Sequence, residues 1–111
     1  EISPYANTNV VELNNGQIRE FVLNPNDLNI KVNDFNHIIG KDPIYNAEKI
    51  KEIFKGNDTD FSIAVCLNAA AGLLVAEKSN NFYEAYQKLR KHILSGKVIN
   101  HISKLMKWPT S

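Results

Sequence analysis

The sequence predicts an α+β fold in which a β-hairpin is followed by about four helices. Two observations carry this prediction. Residues 9–23, NVVELNNGQIREFVL, contain two segments rich in apolar residues, separated by Asn15-Gly16. This dipeptide is typical of two-residue hairpin turns, because both central positions need a positive φ. Between residues 42 and 107, apolar side chains recur at helical spacing and are interrupted by glycine, serine and asparagine, which indicates several short helices.

The turn at Asn15-Gly16 also predicts the register of the hairpin. The facing pairs are Leu13–Ile18, Glu12–Arg19 and Val10–Phe21. The charged pair is a favourable cross-strand contact. Because both faces of the hairpin carry apolar residues and an isolated hairpin is only marginally stable, we expect it to pack against a neighbouring element.

Capping residues delimit the predicted helices. Segment 23–30 is interpreted as a loop. Asp42-Pro43 is typical of a helix start, and Gly56 of a helix end. A second helix is predicted over residues 60–78. Asn81 and Glu84 have the spacing of a capping box and predict the start of a third helix. A final helix follows the break at residues 95–96. The apolar faces predicted for the first, third and fourth helices are Ile44, Ala47, Ile50 and Phe54; Phe82, Ala85, Leu89 and Ile93; and Val98, Ile99, Ile102 and Leu105.

The second predicted helix contains the run CLNAAAGLLVA and is apolar almost all round, which is typical of a buried helix. Gly72 in its middle costs about 1 kcal/mol relative to alanine, so we expect another segment to approach closely there. A buried amide without hydrogen bonds costs about 1–3 kcal/mol. Asn68 is therefore expected to tie down a loop or a neighbouring helix, either as a satisfied core amide or as structural support beneath a ligand-binding loop.

Length and charge narrow the class of protein. The 111 residues suit one domain, and 13 basic against 12 acidic side chains do not predict a nucleic-acid or membrane-surface partner. The apolar stretch 61–76 falls short of the roughly 20 residues of a membrane span. Cys66 is expected to be a buried thiol in a reducing compartment, and no targeting signal is visible. We therefore expect a cytoplasmic protein, and we interpret the absence of an initial methionine as a sign of excision from a longer chain.

The remaining polar candidates predict no site of their own. His37, His92 and His101 do not have the spacing of metal ligands and are expected to be solvated or to lie at an interface. The basic residues towards the end of the chain are expected to form solvated helix faces. These are Lys88, Arg90, Lys91, Lys97, Lys104 and Lys107.

Several motifs, in order, resemble those of the anthranilate phosphoribosyltransferases. LNAAAGL resembles the LNAA helix of that family. EISPYANTNVVEL is similar to the family's DEISxxxxTxVxEL, and GQIREFVLNPNDLNI to its GxIxxyxlxPedfGi, with Asn29 at a position where the family often has glycine and where asparagine tolerates αL geometry. IIGKDPIYNAEKIKEIFKG and ILSGKV match further segments. The resemblance covers essentially all 111 residues.

The resemblance implies a transferase of tryptophan biosynthesis that moves a phosphoribosyl group from phosphoribosyl pyrophosphate to anthranilate, with Mg²⁺ on the pyrophosphate. Glu1 aligns with the glutamate of the family's metal-binding Asp-Glu pair. It is thus expected to be a metal ligand in the intact enzyme and a solvated residue in this chain alone. The family's GTGGD loop, Lys-His segment and anthranilate-binding arginine lie upstream.

Residues 1–111 are accordingly expected to be a partial domain, the C-terminal part of the α/β phosphoribosyltransferase domain. We expect this chain to be inactive by itself, to pair with the upstream part of its own polypeptide, and to self-associate when alone. Three alternatives remain: a nucleic-acid-binding relative without catalysis, a relative of the pyrimidine nucleoside phosphorylases, and a free-standing helical interaction module.

Overall fold

A computed structural model describes residues 1–32 and 34–109 of the chain. Its strands are β1 (Thr8–Asn14) and β2 (Gln17–Leu23), followed by single 3-10 turns at Pro25–Leu28 and Phe35–Ile38. The helices are α1 (Pro43–Phe54), α2 (Asp60–Val75), α3 (Phe82–Leu94) and α4 (Val98–Leu105). The predicted hairpin and four helices are confirmed. Residues 33, 110 and 111 of the predicted domain range lie outside the described residues.

The hairpin has the predicted register. β1 and β2 are antiparallel, with all three expected pairs facing each other, and both turn residues have positive φ, 50° at Asn15 and 77° at Gly16. The guanidinium of Arg19 lies 3.0 Å from the Glu12 carboxylate, although the exposure of the pair limits its contribution to stability. One face of the hairpin is half-buried. The opposite face exposes Val11, Leu13, Ile18 and Val22.

Side-chain caps begin the first three helices. Asp42 accepts a hydrogen bond from the Tyr45 amide at 2.9 Å, and Asn81 accepts one from the Glu84 amide at 2.8 Å, as predicted. Helix α2 begins with a complete capping box between Thr59 and Ser62. It ends at Val75, three residues before the predicted Lys78. The predicted loop 23–30 contains the first 3-10 turn, which is followed by the capping residue Asn29 in the αL conformation (φ 56°, ψ 29°).

The core lies mainly between α2 and α3, with the segment after β2 packed against it. Ile53 is the inward-facing residue of α1, only 3% exposed. Of the face predicted for α1, Phe54 packs against the core, whereas the prediction is wrong for Ile44, which is 74% exposed, and for Ile50, which is 49% exposed. The buried hydrophobic residues are Leu28, Ile30, Val32, Ile53, Cys66, Leu67, Ala70, Ala85, Tyr86 and Ile93.

Helix α2 is buried on one side only. Leu67 and Ala70 are fully buried, whereas Val65 is 41% exposed and Val75 86%. Apart from the adjacent residues and the backbone of α2 itself, no heavy atom of the described residues lies within 4 Å of the position that a Cβ on Gly72 would occupy. The expectation that α2 is buried all round and approached closely at Gly72 is therefore wrong for this chain, because α3 and its neighbours cover a single side of the helix.

Two other glycines mark a close approach between the ends of α1 and α3. A Cβ on Gly56 would lie 2.7 Å from the Leu94 carbonyl oxygen, and a Cβ on Gly96 would lie 2.9 Å from the Lys55 carbonyl oxygen. Both glycines have positive φ, 96° and 70°. The two helix ends can therefore meet only because neither position carries a side chain.

Candidate functional site

The first residues of the chain are held against helix α2 by the side chain of Asn68. The Ile2 amide donates to Asn68 Oδ1 at 2.8 Å, and Asn68 Nδ2 donates to the Ile2 carbonyl at 3.0 Å. The same Nδ2 also donates to the Ala64 carbonyl at 3.0 Å. The amide therefore ties the backbone of Ile2 to the helix through both its N–H and its C=O groups, and it has the partners that its burial requires.

Hydrogen bonds between residues close in sequence fix the rest of this loop. The Ser3 amide donates to Thr8 Oγ1 at 3.1 Å, at the start of β1. The Ser3 hydroxyl accepts from the amides of Tyr5 and Ala6, at 3.3 and 3.1 Å. The loop is therefore shaped by its own sequence between two anchors, β1 on one side and Asn68 on the other.

A groove of about 480 Å³ opens beside this loop. The 1–5 segment forms one wall, and the turn at Phe35–Ile38 and the start of α2 form the others. The rings of Tyr5 and Phe35 lie 4.8 Å apart between centroids. Most of the lining is apolar, and the Glu1 side chain is the one ionisable carboxylate among the groove-lining residues that the structure describes.

Glu1 offers a hard oxygen ligand of the kind that Mg²⁺ prefers, but it stands alone. Its residue is exposed, and residues 1–32 and 34–109 contain no group of three His, Cys, Asp or Glu side chains that could hold a metal ion. The donor type fits magnesium, whereas one carboxylate does not make a magnesium site. Among the described residues that line the groove, Glu1 brings the one carboxylate that could serve such a centre.

A second polar cluster was missed from the sequence. Arg90, expected to be solvated, has only 13% of its side chain exposed; it donates to the Ser62 hydroxyl at 2.7 Å and to the Asp58 carboxylate. Cys66 is fully buried, as predicted. Burial raises the pKa of the Cys66 thiol, and the positive charge of Arg90 only partly opposes this. The cluster therefore joins α2 to α3, and the raised pKa argues against a reactive thiol.

One of the three histidines has a specific contact. His37 Nδ1 lies 2.8 Å from the Asp60 carboxylate at the start of α2, so it links the second 3-10 turn to this helix. Because the two residues are 23 positions apart, no local sequence pattern predicts their contact. His92 and His101 are exposed, as expected.

None of the helices in residues 1–32 and 34–109 has the length and apolar character required to cross a bilayer.

Curated relatives align with this chain over most of its length. An anthranilate phosphoribosyltransferase from Pelagibacter ubique is 53% identical over 105 residues, which is 95% of this chain and 32% of that protein. Proteins of the same name from Pseudoalteromonas translucida and Desulfatibacillum aliphaticivorans are 32% and 33% identical over 96% and 97% of this chain. The chain spans about a third of the length of these relatives.

A family profile identifies the same relationship. The profile described as "Glycosyl transferase family, a/b domain" matches residues 1–99. The match includes the 1–6 loop, the hairpin and helices α1 to α3, and therefore every residue of the groove described above. The chain belongs to this glycosyl transferase family and contains part of its a/b domain.

Proposed function

We propose that this chain is part of an anthranilate phosphoribosyltransferase, in which it supplies one wall of the phosphoribosyl pyrophosphate site. The observation that carries the proposal is the convergence of two separate motifs. The EIS segment and the LNAA helix lie 66 residues apart in sequence, and Asn68 joins them through the Ile2 peptide. These two hydrogen bonds fix the backbone of Ile2, the residue that directly follows Glu1.

In the proposed site, Glu1 contributes a carboxylate ligand to Mg²⁺. Magnesium supplies charge stabilisation to a departing pyrophosphate when it is bound. Since Glu1 is the one carboxylate among the described residues that line the groove, the remaining ligands come from other parts of the intact protein, the substrate and water.

Asn68 acts as a positioning residue in this proposal. It has no direct contact with the reacting groups; instead, its amide restrains the Ile2 peptide and thereby the direction in which Glu1 leaves the loop. Groups that orient a metal ligand without touching the metal commonly affect metal affinity by 10- to 100-fold. Ser3 and Thr8 support the same loop from its other end.

The chain alone is inactive under this proposal, because one carboxylate and an open groove provide neither the substrate grip nor the charge stabilisation that phosphoribosyl transfer needs. The intact protein is proposed to act in the cytoplasm on anthranilate and phosphoribosyl pyrophosphate. The names of the relatives favour this branch over a nucleoside phosphorylase, a nucleic-acid-binding relative or an independent interaction module.

A chimera tests the proposal. The region of the Pelagibacter ubique protein aligned with this chain is replaced by residues 1–111, and loss of anthranilate fluorescence is followed with phosphoribosyl pyrophosphate and Mg²⁺. We expect turnover by the chimera, none by the chain alone, and a large loss of turnover in the Glu1→Gln chimera. Glu20→Gln, on the exposed hairpin, is the matched control. Turnover by the chain alone, or by the Glu1→Gln chimera at the control rate, would contradict the proposal.

A further inference from the structure

A second groove, of about 430 Å³, lies where the segment after β2 meets helices α2 and α3. It shares no lining residue with the groove beside Glu1. Its lining combines apolar side chains with three basic ones, Lys31, Arg90 and Lys91, and includes no carboxylate among the described residues. We call it the Lys31–Lys91 groove, after the two basic residues that are exposed.

The apolar part of this groove belongs to the core of the chain. Leu28, Ile30 and Tyr86 line it and are only 7%, 4% and 5% exposed. These side chains are fixed by their packing in the buried cluster between α2, α3 and the segment after β2. A preformed apolar concavity with a few polar groups is typical of small-molecule sites.

The positive charge of the groove comes from its two lysines. The guanidinium of Arg90 already donates to the Asp58 carboxylate and to the Ser62 hydroxyl. By contrast, no carboxylate of the described residues lies within 4.0 Å of the ammonium group of Lys31 or Lys91. An anion in the groove would therefore meet two ammonium groups without having to displace an acidic side chain of the described residues.

The backbone does not reverse the sign of this charge. The contact between Arg90 and Ser62 places the start of α2 beside the end of α3, so the opposite partial charges of the two helix ends largely cancel. The sequence adds to the positive sign on the α3 side, because Glu84 is the last acidic residue of the chain and six lysine or arginine residues follow it.

We propose that the Lys31–Lys91 groove binds a small organic anion, whose carboxylate is held by Lys31 and Lys91 and whose apolar body packs against Leu28, Ile30 and Tyr86. The volume suits a body of about two fused rings. A nucleotide is a poorer match, because its phosphates need more donors than two lysines provide. The bound anion would contact the segment after β2, α2 and α3 together, and would therefore stabilise their packing.

A charged probe and a neutral probe of the same shape test the proposal. Naphthalene-1-acetate and naphthalene-1-acetamide are each titrated into the 15N-labelled chain, and binding is followed through the backbone amide resonances. We expect the acetate to shift the amides of residues 29–31 and 87–94, with a Kd of about 1 mM or below. The acetamide is expected to bind at least about fivefold more weakly. Isothermal titration calorimetry measures the same difference in affinity independently.

Two double variants show whether the lysines of the groove are responsible. Lys31→Gln with Lys91→Gln is expected to raise the Kd of the acetate by about tenfold and to leave the acetamide unaffected. Lys88→Gln with Lys104→Gln is the matched control. It removes the same number of charges from exposed positions outside the groove and is expected to change the Kd by no more than about twofold.

Four results would each overturn the proposal. These are equal affinities for the acetate and the acetamide, equal effects of the two double variants, shifts confined to the groove beside Glu1, and absence of binding at millimolar concentrations of the acetate. Because binding is measured without turnover, none of these results bears on the proposed function.

Discussion

The carboxamide of Asn68 and the peptide of Ile2 exchange two hydrogen bonds, at 2.8 and 3.0 Å, across 66 residues of sequence. Asn46 makes a similar pair of bonds with the Lys41 backbone, at 2.9 and 3.1 Å, but across only five residues and at the exposed start of α1. One asparagine therefore joins distant parts of the fold, whereas the other closes a local turn.

This difference predicts unequal costs when each amide is removed. Asn68→Ala is expected to lower the free energy of unfolding by about 1–3 kcal/mol, because it leaves partly buried backbone groups without partners. Asn46→Ala is the matched control and is expected to cost less, since water can replace its bonds. Urea unfolding followed by circular dichroism measures both. Equal losses of unfolding free energy in the two variants would show that the Ile2 contact stabilises the fold no more than a local contact does.

Removal of Arg90 is predicted to loosen the contact between α2 and α3. Its guanidinium bridges the fully buried Ser62 hydroxyl and Asp58, and hydrogen bonds to charged groups contribute about 1.5–3 kcal/mol. We expect Arg90→Ala to lower the free energy of unfolding by about this amount. The neighbouring exposed Lys91→Ala is expected to change it by less than about 0.5 kcal/mol. Similar effects for the two variants in urea unfolding would contradict the structural role of Arg90.

The meeting point of α1 and α3 is predicted to reject a side chain at Gly56. Gly56→Ala combines a strained φ with a Cβ placed 2.7 Å from the Leu94 carbonyl oxygen. Gly16→Ala has a similar positive φ but nothing within 4 Å. We expect Gly56→Ala to destabilise the chain by at least about 1 kcal/mol more than Gly16→Ala, measured by thermal unfolding. If the two variants have the same melting temperature, crowding at Gly56 does not affect stability.

Stability is predicted to fall in alkaline solution. Burial raises the pKa of Cys66 above its ordinary 9.0, so the folded chain keeps this proton while the unfolded chain loses it. The contribution is fully present below pH 9.0 and is lost as the pH rises through the folded-state value. Burial raises the pKa of Tyr86 from 10.0 in the same sense.

Thermal unfolding between pH 8 and pH 10 measures the effect. The melting temperature of Cys66→Ala, although lower overall because a buried side chain is shortened, is expected to fall less steeply with pH than that of the unmodified chain. Parallel pH profiles would mean that Cys66 does not contribute to the alkaline loss of stability.

The exposed apolar surfaces predict that this chain self-associates in solution. Light scattering over a range of concentrations should show particles larger than a monomer. Ala69→Glu, which places a charge on the exposed face of α2, is expected to reduce the association, whereas Ser103→Glu on α4 is not. A monomer at all concentrations would contradict the prediction.

The sequence predicted the features that depend on neighbouring residues. Asn15-Gly16 determined the hairpin register, Asp42 and Asn81 marked two helix starts, and the need of a buried amide for partners pointed to Asn68. Each of these signals arises within a few residues or from one unsatisfied group.

The features that were missed depend on contacts between distant elements. Ile53 rather than Ile50 faces the core of this chain, because the approach of α3 selects among the apolar positions of α1. The Arg90 side chain, 13% exposed, finds its partners Ser62 and Asp58 at 28 and 32 residues away in sequence. The apolar sequence of α2 indicates that the helix is buried, but it does not predict which side of the helix the rest of this chain covers.

The most direct test of the central claim is the magnesium dependence of the Asn68→Asp chimera. Aspartate keeps the size of asparagine but cannot donate to the Ile2 carbonyl. If Asn68 positions Glu1 for Mg²⁺, the magnesium concentration for half-maximal anthranilate consumption should rise by about 10- to 100-fold. If the melting temperature falls while the magnesium requirement stays unchanged, Asn68 stabilises the fold without positioning a metal ligand, and the proposed role of the Asn68–Ile2 contact is wrong.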